Sequence, residues 1–466
     1  MYEDNIKDNK TMMSSKSYAV IGLFMVLCYI GNLGQYTIMG QYIYYRISSD
    51  EDLVRNESVS QCSKVNFSSN FSNTQNRVQS SAAQYNIYAQ LSSGIPSMIV
   101  VIFSGVLSDF YGRKLVILIS WIGSFIGTIF NILLISLNGP LWVYIVGQFL
   151  SGLGGNYGAM LVGVFSLVSD STGHRNRNFG IIIIEIALGL SMITSQALLG
   201  KWLRLNNFLW PIVTFGIIFS LSGVMYLFLK ETRNKRMTGN RNIQFHMKMT
   251  ISKMIELFYN NKKFNFLLIF STISFFIHTF NFFGNMTLIT VYLFGRPFCW
   301  NSEILGYYRS ISSAIVQFGI ILSFLMLKYM RMNEILIIEV GFLTNILSKL
   351  LFAIAPSYAK SICDYLIIIA GFDLFSGASV SLLRSVSSKH VSPEDYGTLF
   401  GMMSSFETLS SLLGGVVYNG IYDATLSFYY GFVYCFAVVL LSIAFVLMIF
   451  FFIVKKGTPI QYENIS

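Results

Sequence analysis

Two apolar runs, roughly residues 88–108 and 115–137, are each long enough to cross a bilayer, and the turn between them is short and charged. It reads Gly105-Val-Leu-Ser-Asp109-Phe-Tyr-Gly112-Arg113-Lys114. A helical hairpin closed by a basic tight turn is what a membrane protein places on its cytoplasmic side. Hydrocarbon offers backbone groups no partners, so runs of this kind must be helices. The composition agrees. Of 466 residues, 54% are hydrophobic and 12% charged, too little charge to cover a water-soluble surface of that size. The 37 Gly against 7 Pro suit long helices packed through small residues, and 41 Phe and 27 Tyr suit lipid-facing surfaces.

Similar runs recur along the chain. The pattern predicts twelve spans, near 17–45, 88–108, 115–137, 141–168, 179–200, 208–229, 264–294, 304–327, 332–354, 363–389, 395–420 and 424–454. An even number puts both termini on one side. Most of the 32 Lys and Arg fall there, in the tails, in the 105–114 turn and in the basic stretch between spans six and seven. Both termini are therefore expected in the cytoplasm. The net charge of +10 orients the chain and meets anionic lipid, and it implies no nucleic-acid partner. Residues 1–16 are polar and the first apolar run is too long for a signal sequence, so it is expected to stay as span one.

The expected organisation is a 1–16 tail, an N-terminal six-helix bundle over 17–229, a cytoplasmic linker over 230–263, a C-terminal six-helix bundle over 264–454 and a 455–466 tail. Segment 47–85 is a polar outer loop with three sequons, at Asn56, Asn66 and Asn70, which are expected to be glycosylated. Within the linker, Met247–Tyr259 has a weak amphipathic pattern and reads as a surface helix. A faint repeat relates the halves. Gly147-Gln-Phe-Leu-Ser151-Gly152 echoes Gly371-Phe-Asp-Leu-Phe-Ser376-Gly377, and Phe179-Gly180 echoes Phe400-Gly401. Parallel repeats of this kind are found in many membrane carriers, where the site lies between them near the midplane, and a site in that position is expected here. Gly152, Gly154, Gly155 and Gly158 in span four read as close-packing glycines.

Ionisable residues inside spans carry the chemistry, because each is costly unless it meets water or a partner. Glu185 follows Gly180 in span five by five residues, and Glu407 follows Gly401 in span eleven by six, so the repeat sets two carboxylates on equivalent helices. Asp373 and Arg384 in span ten are eleven residues apart, close to three helical turns and so nearly one face. Arg384 is within reach of Glu407 on the next helix. A carboxylate paired with a single Arg is a natural proton-coupling element, and the competing reading is a static salt bridge. The proton-coupling candidates are Glu185, Glu407, Asp373 and His278. His278, Asn281 and Asn285 form a polar stripe on span seven, expected to line a cavity opposite Asn32, Gln35, Asn156 and Tyr157. Arg384 and Arg309, the latter near the outer end of span eight, are candidates to attract an anion. Glu339 and Lys349 in span nine are too far apart to pair with each other. Cys28 and Cys435 lie inside spans and are expected to be buried thiols.

The pattern G-x-x-x-D-x-x-G-R-K resembles the loop between helices two and three of the major facilitator superfamily. The resemblance implies that Gly105, Asp109, Gly112, Arg113 and Lys114 form a gating latch. Asp109 would dock on the start of helix eleven at Ser392-Pro393-Glu394-Asp395, and Arg113 would pair with Asp170. Further segments resemble the solute-carrier family that contains the proton-coupled folate transporter and the thymic stromal cotransporter. They are Gln41-Tyr-Ile-Tyr-Tyr-Arg46, Arg296-Pro-Phe-Cys299-Trp300 with Gly306-Tyr307, Asp170…Arg177…Glu185, and Arg384-Ser-Val-Ser-Ser-Lys389 with Gly397-Thr-Leu-Phe400. Cys62, Cys299 and Cys363 all fall on the outer, oxidising side, where a Cys62–Cys299 bridge is expected, against a Cys62–Cys363 link or free thiols, and the likeness includes the second disulfide cysteine. It also implies a tie between Glu185 and proton coupling.

The fold expected is an all-α membrane protein with twelve transmembrane helices in two pseudo-symmetric six-helix bundles. The function expected is proton-coupled symport of an organic anion, folate-like or related, by alternating access. The partners are that anion, protons and the bilayer, with no cofactor beyond the proton gradient and no metal; the chain is a monomer or weak homo-oligomer. No phosphate loop, metal cluster or nucleophile motif marks an enzyme. A drug/proton antiporter is the transport rival, but Leu188-Gly-Leu-Ser-Met-Ile-Thr-Ser-Gln196 lacks the proline of that pattern. A sugar facilitator would repeat the charged turn, and Lys328-Tyr-Met-Arg331 is too degenerate. A non-transporting receptor or scaffold would gain nothing from buried charges. The plasma membrane is the expected location, with the lysosome as an alternative suggested by Tyr462-Glu-Asn-Ile465.

Overall fold

A computed structural model of the chain describes residues 15–50, 69–171, 177–203, 208–232, 252–260, 263–295, 298–358, 371–391 and 396–457; some side chains within these segments, including those of Asp109, Asp170 and Glu185, are outside the description. The first group of helices is α1 (Ser15–Asp50), α2 (Ser69–Tyr111), α3 (Arg113–Ser136), α4 (Trp142–Leu153), α5 (Asn156–Ser171), α6 (Arg177–Leu203) and α7 (Leu209–Leu227). The second is α8 (Phe266–Phe294), α9 (Ser302–Tyr329), α10 (Glu334–Ile354), α11 (Ser376–Ser388), α12 (Tyr396–Thr425) and α13 (Phe432–Gly457). Nine spans among the described residues are long and apolar enough to cross a membrane. At 27 and 30 residues, α6 and α12 also have the length to cross.

Both sit where the groups meet. Across the interface α2 packs on α12, and α6 on α9. These pairings exchange under the twofold repeat, which relates α2 to α9 and α6 to α12. Hydrophobic burial divides the molecule by depth. On the side where α1 begins, each bundle has its own cluster: Phe24, Met160 and Phe219 in one, Phe275, Phe342 and Phe451 in the other. On the opposite side, called here the far side, one aromatic cluster runs through both bundles and includes Tyr44, Tyr292, Phe352, Tyr422 and Tyr434. Hydrogen bonds reinforce it. Tyr422 donates to Gln79 at 2.8 Å, Tyr430 to Asn76 at 3.2 Å and Asn86 to Asn419 at 3.3 Å. Ser80 and Gln84 both donate to the Asp423 carboxylate.

Three local features depart from the sequence reading. Helix α1 runs on to Asp50, and α2 begins at Ser69, well inside the expected 47–85 loop. The added turns of α2 are polar in composition, yet Val78, Gln79, Ala82 and Ala83 form a buried stripe at helical spacing. Asn70 falls in the first turn of α2, while Asn56 and Asn66 lie outside the described residues. Span four is broken in two at Gly154–Gly155, where Gly155 has φ +82° and Asn156 φ +47°. A Cβ on Gly154 would lie 2.9 Å from the Gly123 Cα, so the contact that lets α3 approach also permits the break. Ser151 closes it by donating to Asn156 at 2.5 Å. In the linker, residues 252–256 are helical and a two-residue antiparallel ladder follows, pairing Tyr259 with Phe264 and Asn260 with Lys263. The expected surface helix therefore stops before Tyr259. Met254, Leu257 and Phe258 pack onto the C-terminal bundle, and Met247–Ile251 lie outside the described residues.

Candidate functional site

Between the bundles lies a chamber of about 510 Å³. Its N-terminal wall is rich in neutral hydrogen-bonding groups. Asn32, Gln35, Asn156 and Tyr157 stand in it as the sequence predicts, with Tyr29, Tyr36, Gln90 and Gln148 added. Tyr29 and Tyr157 pack ring to ring at 4.7 Å, and Asn131 donates to Gln35 at 3.5 Å. The C-terminal wall adds Phe282, Phe283, Met286, Gln317 and a set of serines and threonines. Sequence reasoning missed Gln90, Gln148 and Gln317. Each is a lone amide within an apolar run, which was the available signal.

Among the described residues, the formal charges in this wall are Arg384 and Glu407. Arg384 sits on α11 and its Nη2 lies 2.6 Å from Glu407 Oε2 of α12, with side chains 21% and 23% exposed. The guanidinium also lies 5.3 Å from the centre of the Phe275 ring. A short charge-assisted bond at the edge of a polar chamber can be opened by a proton or by a competing anion. Glu185 lies on α6, one turn before Leu188 and Gly189, which line the chamber.

Asp373 does not join this pair. The chain turns through residues 372–375 before α11 begins, so the eleven-residue helical spacing to Arg384 is interrupted. Asp373 instead meets Lys349 of α10 at 3.4 Å, with side chains 11% and 6% exposed, and neither lines the chamber. Its carbonyl accepts from Ser376 N and Oγ, which starts α11. Lys349, unplaced by sequence, is thereby explained.

The stripe on α8 is also only partly a wall. His278 lines the chamber margin, packed edge-on against Phe342 at 5.6 Å, with both ring nitrogens lacking a hydrogen-bond partner. Asn281 and Asn285 turn away from the chamber. The first accepts from Tyr418 and the second from Tyr434 at 3.0 Å. Besides His278, the chamber-lining residues of α8 are Thr279, Phe282, Phe283, Met286 and Thr287, centred roughly a third of a turn or more from the His278–Asn281–Asn285 line. Arg309 likewise stands outside the wall, hydrogen-bonded to Thr37 and Thr290 on the far side.

At the 105–114 turn, Gly112 has φ +104° and a Cβ there would sit 2.6 Å from Glu231 Oε2. Glu231, just past α7, accepts from the backbone N–H of Arg113 at 3.1 Å and Lys114 at 3.0 Å. It thus caps α3 and sets a negative charge at its positive end. The Arg113 side chain donates to Ser108 at 2.8 Å, and Tyr226 donates to the Lys114 carbonyl at 3.1 Å. Docking of Asp109 on 392–395 and pairing with Asp170 lie outside the described residues. Gly105 meets no close neighbour. Cys28 is buried as expected, whereas Cys435 is exposed, because Val433, Tyr434 and Ala437 carry the packed face of α13. Cys299 is disulfide-bonded to a cysteine outside the described residues, where both Cys62 and Cys363 lie.

The model of the Major Facilitator Superfamily matches residues 58–415. The chain belongs to the major facilitator superfamily. Like other members it is a secondary active membrane transporter and not an enzyme. It is 28% identical over 416 residues to the lysosomal proton-coupled steroid conjugate and bile acid symporter SLC46A3 of Rattus norvegicus, covering 85% of this chain and 86% of that one. It is 23% identical over 418 residues to the proton-coupled folate transporter of Rattus norvegicus, covering 88% and 86%. Among solved structures, a D-xylose-proton symporter aligns with TM-score 0.65 and 12% identity over 93% of this chain and 97% of that one. The human organic anion transporter MFSD10 aligns with TM-score 0.61 and 15% identity over 93% and 98%. These two confirm the superfamily fold.

Proposed function

We propose that the protein is a proton-coupled symporter that carries an amphipathic organic anion from an acidic compartment on the far side to the cytoplasm. The observation that carries this reading is the Arg384–Glu407 pair in the chamber wall. While Glu407 is ionised it occupies the guanidinium. When a proton neutralises it, Arg384 is released for the carboxylate or sulfate of a substrate. Proton and anion thus favour each other's binding, which is the thermodynamic requirement of symport. Glu185 on the equivalent helix is the second carboxylate we assign to proton handling.

The rest of the wall suits the body of such a substrate. Aromatic faces at Tyr29, Tyr36, Tyr157, Phe282 and Phe283 favour a flat, largely apolar ring system. Amides at Asn32, Gln35 and Gln90 favour its scattered polar groups, and the volume is that of a drug-sized ligand. Relatives named for steroid conjugates, bile acids and folate support this class. The lysosomal relative and the Tyr462-Glu-Asn-Ile465 tail support an endolysosomal membrane, with the termini in the cytoplasm. We further propose that Cys62 is the partner of Cys299. The oligomeric state we propose is a monomer or a weak homo-oligomer.

The test is uptake by purified protein in proteoliposomes. A panel of steroid sulfate, bile acid and folate is offered with and without an inward proton gradient. Gradient-driven accumulation of at least one anion, lost in Arg384→Ala, is expected. Accumulation of none, or preference for cations with an outward flux, contradicts the reading and favours an antiporter.

A further inference from the structure

Toward the far side, one helical turn from the chamber, a guanidinium sits without an anion. Arg309 of α9 donates from Nη1 to Thr37 Oγ1 at 3.2 Å, and from Nη2 to Thr290 Oγ1 at 2.8 Å and the Met286 carbonyl at 3.5 Å. Its Nε is buried with no hydrogen-bond partner. No carboxylate among the described residues pairs with it, in contrast to Lys349 and Arg384. A charge at this depth facing only neutral acceptors is costly to keep, and an intramembrane ion with no fixed counterion marks a place for a transient one.

Its hydrogen bonds also join the two bundles. Thr37 belongs to α1 and Thr290 to α8, and Thr37 accepts in addition from Gln196 of α6 at 2.9 Å. Met286, which accepts from Arg309, lines the chamber, and so does Ser313, one turn along α9. Separation of the bundles on the far side would take Thr37 away from Arg309 and leave Nη1, like Nε, without an acceptor. A guanidinium fork freed in this way matches a planar or tetrahedral oxyanion.

We propose that Arg309 is the entry-side anion site. When the far side opens, its guanidinium takes the carboxylate, sulfate or sulfonate head of the incoming substrate in place of Thr37, before that head reaches Arg384. In the closed arrangement the threonine hydroxyls are placeholders for the oxyanion. This rests on the symporter reading above, so its test includes a readout that needs no transport.

Full-length protein carrying Cys28→Ser, Cys435→Ser and Thr290→Cys is reconstituted and treated on both faces with two thiol reagents, a sulfonate-bearing and a trimethylammonium-bearing methanethiosulfonate. The same chain without Thr290→Cys supplies the background. The anionic reagent is expected to react faster by about tenfold. Adding Arg309→Gln should bring the ratio near one, and Arg309→Lys should keep most of it. A ratio unchanged by Arg309→Gln, or a thiol that neither reagent reaches, overturns the proposal. In uptake, Arg309→Gln should raise the apparent KM for anion offered at the far side by about tenfold with kcat little changed. A fall in kcat alone would make Arg309 a structural clamp and likewise overturn it. Failure of the symporter reading looks different: no uptake by the parent protein, with the reagent ratio intact.

Discussion

The C-terminal bundle holds two ion pairs of the same chemistry in different surroundings. Arg384–Glu407 lies at 2.6 Å in the wall of the chamber, each side chain about a fifth exposed. Lys349–Asp373 lies at 3.4 Å, almost fully buried and away from the chamber. The first can exchange a partner for a proton or an anion. The second lies outside the wall, and its separation would strand a charge in a low-dielectric interior. In-span charge is therefore not by itself a mark of transport chemistry; access to the chamber decides. Asp373 is on this ground a positioning residue at the start of α11, which carries Arg384.

Substitutions at the two pairs should separate these roles. Arg384→Ala removes the wall's cation and leaves Glu407 unpaired, at a cost of about 2–5 kcal/mol, so anion affinity should fall by at least roughly thirtyfold. Saturation binding to the purified variant reads this, and unchanged affinity would place the anion elsewhere. Lys349→Met should lower unfolding stability by about 3–5 kcal/mol, seen as lost thermal stability and yield. The Lys349→Met/Asp373→Leu double variant should recover most of that stability and transport with the parental pH profile. A double variant that folds but loses proton coupling would erase the distinction.

A smaller effect is expected at the 105–114 turn. Gly112→Ala forces a side chain into a left-handed backbone and against Glu231, for a loss of about 1–3 kcal/mol in thermal or denaturant stability. The smallest is at the stripe on α8. Asn285→Ala removes one hydrogen bond from Tyr434, worth about 1 kcal/mol, and should leave substrate KM unchanged. A tenfold rise in KM would return Asn285 to the chamber.

The nine spans seen among the described residues and the 105–114 turn were legible because hydropathy and the spacing of Gly and charge are local properties. The Arg384–Glu407 contact was legible because it joins neighbouring helices through a short connection. Other features depend on information that a single segment does not hold. Helical periodicity set His278, Asn281 and Asn285 on one face, but the direction of that face is fixed by Tyr418 and Tyr434 on other helices. The partner of Asp373 was hidden by the turn at 372–375, and the polar opening turns of α2 disguised a helix whose buried stripe depends on the opposing bundle. Glu231 falls at the start of the expected 230–263 linker, whereas its carboxylate caps a helix more than a hundred residues earlier.

The most direct measurement is made on Glu407→Gln, which fixes the chamber carboxyl in a neutral state. In proteoliposomes this variant should exchange labelled for unlabelled anion across the membrane, yet fail to accumulate anion against its gradient when protons are supplied. Its exchange rate should respond to pH less than the parent's, by the share that Glu407 carries. Uphill accumulation by Glu407→Gln at the parental level would show that the proton travels by a path that avoids the Arg384–Glu407 pair.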